Sequence, residues 1–139
     1  MITFRSQAYS SIPLPPEVTF AEAFSRLESP SNAYYLLSLD AESYMQCGGS
    51  QSACAIEVRI ADANGDYRCY AVGLDSNVTT PVRIFISEGG VWVQQNEVLT
   101  IDDAAKLFDC FLARQALPAG YVLRDRALNK VSAPPEGSA

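Results

Sequence analysis

Histidine is absent from all 139 residues of this chain. That removes the side chain whose proton equilibrium lies nearest neutrality, and with it the commonest zinc ligand and general base. The four cysteines, Cys47, Cys54, Cys69 and Cys110, show no CxxC spacing and have no histidine to accompany them, so zinc-ribbon, thioredoxin-like and papain-like readings fail together. Ser50 and Ser52 lie outside any GxSxG elbow, and neither Gly48-Gly49 nor Gly89-Gly90 leads into the Lys-Ser/Thr of a phosphate-binding loop. No apolar run approaches the length of a membrane span, and MITFRSQAYSSIPLPP lacks the continuous apolar stretch of an export signal. The expected location is therefore the cytoplasm, with reduced thiols. A Cys47 to Cys54 bridge across a hairpin stays open as the geometric alternative.

Positive charge is also scarce. Ten Lys and Arg face sixteen Asp and Glu, giving a formal net charge of -6 and a pI near 4.5. Such an average field repels nucleic-acid phosphates and anionic membranes, so neither is an expected partner. It favours a basic protein partner, and it also keeps a cytosolic protein soluble.

What is present reads as one domain with a core of its own. Residues 1–16 end in Ile12-Pro13-Leu14-Pro15-Pro16 and read as an extended Pro-rich arm. Residues 17–128 form a single α+β domain, and residues 129–139, ending in Ala133-Pro134-Pro135-Glu136-Gly137-Ser138-Ala139, read as a disordered tail. Thr19-Phe20-Ala21-Glu22 has the capping-box pattern and opens a helix whose stripe is Phe20, Ala23, Phe24 and Leu27. Ser29-Pro30-Ser31-Asn32 stops it.

The period then changes to two. Tyr34 to Leu39 and Ser43 to Cys47 read as strands, with Gly48 to Ser52 as a connector. Cys54 to Ala61 and Tyr67 to Gly73 alternate about Asn64-Gly65, the signature of a type I′ hairpin turn. A two-residue turn pairs Ile60 with Cys69 and Val58 with Ala71 on one face. It pairs Arg59 with Tyr70, Ala61 with Arg68 and Glu57 with Val72 on the other. A second hairpin, Val82 to Ile86 with Val91 to Gln95, pairs Ile86 with Val91 and sets Phe85 opposite Trp92. Thr100 caps a second helix with Asp102 and Asp103 in its first turn and a stripe of Ile101, Ala104, Ala105, Phe108, Phe111 and Leu112. Leu117 to Gly120 follows, then a last strand from Tyr121 to Leu123. The expected fold is a largely antiparallel β-sheet with two α-helices packed on one face, which leaves the reverse face of the sheet uncovered.

Candidate chemistry is sparse. Asp102-Asp103 is explained by helix capping, and Asp62 to Asp66 brackets a turn without the downstream bidentate Glu of a calcium loop. The sequence therefore points to no catalytic residue, no metal and no cofactor. It points to a surface: Glu57, Arg59, Arg68, Tyr70, Arg83, Phe85, Trp92 and Gln94 gather on the reverse face, and Trp, Tyr and Arg are the residue types that dominate binding energy at interfaces. Trp92 is the expected anchor, beside Tyr70 and Phe85 and framed by Arg59, Arg68 and Arg83. Asp62, Asp66, Asp75 and Glu88 on connecting loops are expected to steer a basic partner toward it.

The segment Val91 to Asp125, VWVQQNEVLTIDDAAKLFDCFLARQALPAGYVLRD, runs strand, Asn96-Glu97-Val98-Leu99, capped helix, Leu117-Pro118, last strand. In this it resembles the closing half of an Imm1-type immunity protein. The resemblance implies a small cytosolic protein that binds and neutralises a cognate bacterial toxin domain, often a nucleic-acid deaminase, without catalysis of its own. It carries over no binding residue by position. Two other functions fit the residues: a secretion chaperone or adaptor for an effector, and a small-ligand-binding or carboxylate-dependent hydrolase domain.

Overall fold

The computed structural model describes residues 2–7, 18–28, 31–61, 64–86 and 89–131. The proline run Ile12 to Pro16 and the tail from residue 132 lie outside the described residues, as do Ser29 and Pro30. The elements are β1 (Thr3–Ser6), α1 (Phe20–Phe24), β2 (Tyr34–Ser38), β3 (Tyr44–Ser50), β4 (Ala53–Ala61), β5 (Tyr67–Leu74), β6 (Pro81–Ile86), β7 (Gly89–Gln94), α2 (Ile101–Leu112) and β8 (Tyr121–Asp125), with a 3-10 turn at Gln95–Glu97. Six strands make one antiparallel sheet in the order β1-β2-β3-β4-β5-β8, and β6-β7 form a separate two-stranded sheet. The α+β fold is the one expected. Thr3–Ser6, expected as part of the extended arm, pairs with β2 as an edge strand.

The helices and one face of the large sheet enclose the main core. Phe24 and Phe108 meet edge-to-face with centroids 4.8 Å apart, and Phe4, Phe20 and Tyr35 close the cluster around them. Four elements are joined this way, since these rings come from β1, α1, β2 and α2. Beneath them the alternation of β3 and β4 points Met45, Cys47, Cys54, Ile56 and Val58 inward. Thr19 caps α1 by accepting from the Glu22 N–H, and Thr100 with Asp103 forms a full capping box on α2. The buried stripe of α2 is Ala104, Leu107 and Phe108, so Leu107 belongs to the core, while Leu112 is exposed.

Three expectations need correction. Gly48 and Gly49 are not a connector but the last part of β3, paired with Ala55 and Cys54. The reason is packing: a Cβ on Gly48 would sit 2.6 Å from the Ile86 Cδ1, and Gly49 has φ 128 with its Cβ position 2.5 Å from the Ala53 carbonyl oxygen. The β4-β5 register is displaced by one residue, because Ala61 pairs with Tyr67 and leaves residues 62–66 between the strands instead of a two-residue turn. A one-residue slip exchanges faces for one strand of the pair, so Val58 faces Tyr70 and Arg59 faces Cys69. The β6-β7 register is displaced by two: Arg83, not Phe85, lies opposite Trp92, and Phe85 lies opposite Gly90. A shift of two preserves faces, so Ile84, Ile86, Val91 and Val93 still share one side.

That apolar side does not extend the large sheet. It lies across the reverse face, where Ile86 packs on Gly48 and Ile84 on Gly49. The reverse face, expected to be uncovered, is thus partly covered by this hairpin. From β7 the chain turns through Gln95–Glu97, bridges Cys54 at Leu99 with N–H to O distances of 2.9 and 2.8 Å, and crosses to α2 on the other face.

Candidate functional site

Cross-strand pairing arranges the reverse face in rows. The row under the hairpin is Gly48 and Ala55, with Gly73 on β5 beyond them. These small residues let a second layer approach: a Cβ on Gly73 would lie 2.9 Å from Asn96 and 3.0 Å from Glu97. The next row is Gln46, Glu57, Ala71 and Arg124, and the third is Tyr44, Arg59 and Cys69. The second and third rows emerge from beneath the hairpin, and Trp92 forms the wall at its margin.

Where the two sheets meet, Glu97 is 2 % exposed and receives two hydrogen bonds from Arg124, at 2.8 and 2.9 Å. Its Oε1 also accepts the Gln94 N–H at 2.9 Å. Arg124 spends its remaining nitrogen on the Asn129 carbonyl. A buried carboxylate and guanidinium satisfied this fully tie the 3-10 turn to β8 and fix where the hairpin sits. Glu97, Leu99 and Leu117, which carried the resemblance, are thus packing and pairing residues in this structure.

The open part of the face holds the binding-type side chains. The Arg59 guanidinium lies 3.3 Å from the Tyr67 ring centroid and 5.9 Å from that of Tyr44, and it donates to Glu42 at 3.1 Å. Arg126 is ion-paired with Glu57. Burial first, and then the Glu57 carboxylate, raise the Tyr44 phenol above its ordinary 10.0. The result is a strip of Tyr67, Arg59, Tyr44, Glu57 and Arg126 on the large sheet, with Trp92 of the hairpin at its margin.

Of the expected site residues, Arg59 is on this strip, and Trp92 borders it from β7, where it lies opposite Arg83. Tyr70 is not: the register turns it to the helix side, packed against the core. Arg68 shares that side at the sheet edge, where it bonds Asp125 at 3.0 Å and, with two backbone N–H groups and against the effect of burial, holds that carboxyl below its usual range. Arg83 and Phe85 project from the outer face of the hairpin, with Phe85 61 % exposed and the Arg83 guanidinium 5.0 Å from its centroid. Asp66 and Asp75 are exposed beside β5, and Asp62 and Glu88 lie outside the described residues. Tyr44, Tyr67 and Arg126 were missed. Tyr67 falls in phase with Arg59 once the β4-β5 loop is lengthened, so the turn assignment hid it, whereas Tyr44 faces Arg59 through the β3-β4 register. Arg126 carries no such signal.

All four cysteines are free thiols, Cys47 and Cys54 fully buried on adjacent strands. Among the described residues no group of three or more Cys, Asp or Glu is placed to hold a metal ion, and no helix is long and apolar enough to cross a membrane. No family model, curated protein or solved structure matches the chain.

Proposed function

We propose that this chain is a cytosolic immunity protein, a non-enzymatic inhibitor that binds one cognate bacterial toxin domain and blocks access to its active site. One observation carries the reading: the open strip of the reverse face presents Arg59 between Tyr67 and Tyr44 on strands whose other face packs into the core, and it runs through Glu57 to Trp92 at the hairpin margin. Side chains of this kind, held rigid before the partner arrives, lose little entropy on docking and become the anchors of an interface. The resemblance of Val91 to Asp125 to Imm1-type proteins supplies the word immunity and the first guess for the partner, a nucleic-acid deaminase toxin. The average acidity of the chain supports association with a basic domain, steered from loops such as those bearing Asp66 and Asp75.

Co-expression with toxin domains encoded beside the gene tests this. Protection of the cells, together with a stable complex after purification, is the expected result. Failure to protect against every such domain, or turnover of a small substrate abolished by one carboxylate change, contradicts it.

A further inference from the structure

Two adjoining depressions lie where the strip meets the hairpin. Trp92, Glu57, Arg124 and Arg126 line both a cavity of about 110 Å³ running under the hairpin and an adjoining slot of about 450 Å³ that reaches Lys130. A slot of that size, with an aromatic wall and a few convergent polar groups, has the dimensions of a small-molecule site. Two of its ion pairs are internal, Arg124 with Glu97 and Arg126 with Glu57. Lys130 has no carboxylate within ion-pair distance among the described residues, so the lining carries a surplus positive charge in a chain whose net charge is -6. Arg126 is only singly paired and its side chain is 47 % exposed, which leaves guanidinium nitrogens free to donate.

From this geometry we propose that the slot binds a small planar organic anion of the aromatic carboxylate class. The ring lies against Trp92 and the carboxylate accepts from Arg126 and Lys130. Both donors are ionised, which makes their bonds to a carboxylate stronger than those between neutral groups. An anion there also touches the strip proposed to dock a toxin, yet the site stands on its own lining and does not depend on that proposal.

Trp92 is the only tryptophan in the chain, so its fluorescence reports on the slot directly. The intact protein is titrated with benzoate, and in parallel with acetate and with benzylamine. Benzoate is expected to give a saturable change, acetate to bind more weakly for want of a ring, and benzylamine to give none. Lys130→Gln, at an exposed position that leaves the fold unchanged by circular dichroism, should weaken benzoate about tenfold, the loss of one hydrogen bond between charged groups. Arg126→Gln should act in the same direction. No saturable response to benzoate overturns the proposal, as does an equal response to benzylamine or undiminished benzoate affinity in Lys130→Gln.

Discussion

The two faces of the large sheet are built on opposite rules. The helix side is filled by large apolar groups, with Phe24, Leu107 and Phe108 at 0 % exposure. The reverse side is floored by Gly48, Ala55, Ala71 and Gly73 and closed by a hairpin fastened through a buried ion pair. One side gains stability from the area it removes from water. The other gives up side-chain bulk so that a second layer can approach, and it leaves part of its width open. A face of the second kind has binding groups to spare because they are not needed for the core.

Breaking the first face should have the largest effect. Phe108→Ala removes a ring that contacts Phe4, Phe20 and Phe24, and should destabilise the fold by about 3–5 kcal/mol in denaturant unfolding. On the second face, Arg124→Ala leaves Glu97 buried without its partner and should cost about 3 kcal/mol. Replacing both residues by apolar groups of similar volume should recover most of that loss, which a simple packing defect would not. Gly48→Ala should cost about 1 kcal/mol by crowding Ile86, and the added change Ile86→Val should relieve it.

A smaller effect is set by pH. Tyr121 donates to Asp103 at 2.5 Å. Burial and then the Asp103 carboxylate push the phenol up to about 12, while Asp103, against the effect of burial, is lowered by its bonds from Tyr121 and Thr100. A raised phenol contributes stability that is complete below pH 10.0 and is lost as pH rises toward about 12. A lowered carboxyl contributes stability present above pH 3.8 and lost as pH falls below it. Tyr121→Phe should flatten the alkaline part of the stability profile, and an unchanged profile would contradict the assignment.

The contrast between the faces also explains what the sequence disclosed. The helix side was legible because period and burial coincide there: Phe20, Phe24, Thr100 and Phe108 announce two capped amphipathic helices, and Ile56 and Val58 alternate inward. The reverse face was less so. Asn64-Gly65 favours a two-residue turn locally, but the pairing of Ala61 with Tyr67 keeps Ile56 opposite Val72 in the core, and tertiary packing outweighs turn preference. Tyr70 and Tyr67 thereby exchanged roles. Gly48-Gly49 carried no mark distinguishing a flexible connector from a floor, since that meaning depends on Ile84 and Ile86, nearly forty residues further along the chain. The folding of the hairpin over the sheet was invisible because an apolar face on a hairpin does not say what it covers.

Docking of a toxin domain on the open strip and its Trp92 margin is decided by the affinity of Trp92→Ala for a toxin domain the native chain neutralises. The expected result is a folded protein, with the native unfolding midpoint nearly preserved, that binds more weakly by about 2 kcal/mol or more. Phe85→Ala, on the outer hairpin face, should change the affinity much less. A folded Trp92→Ala protein that binds as tightly as the native chain would contradict the account and place the interface elsewhere.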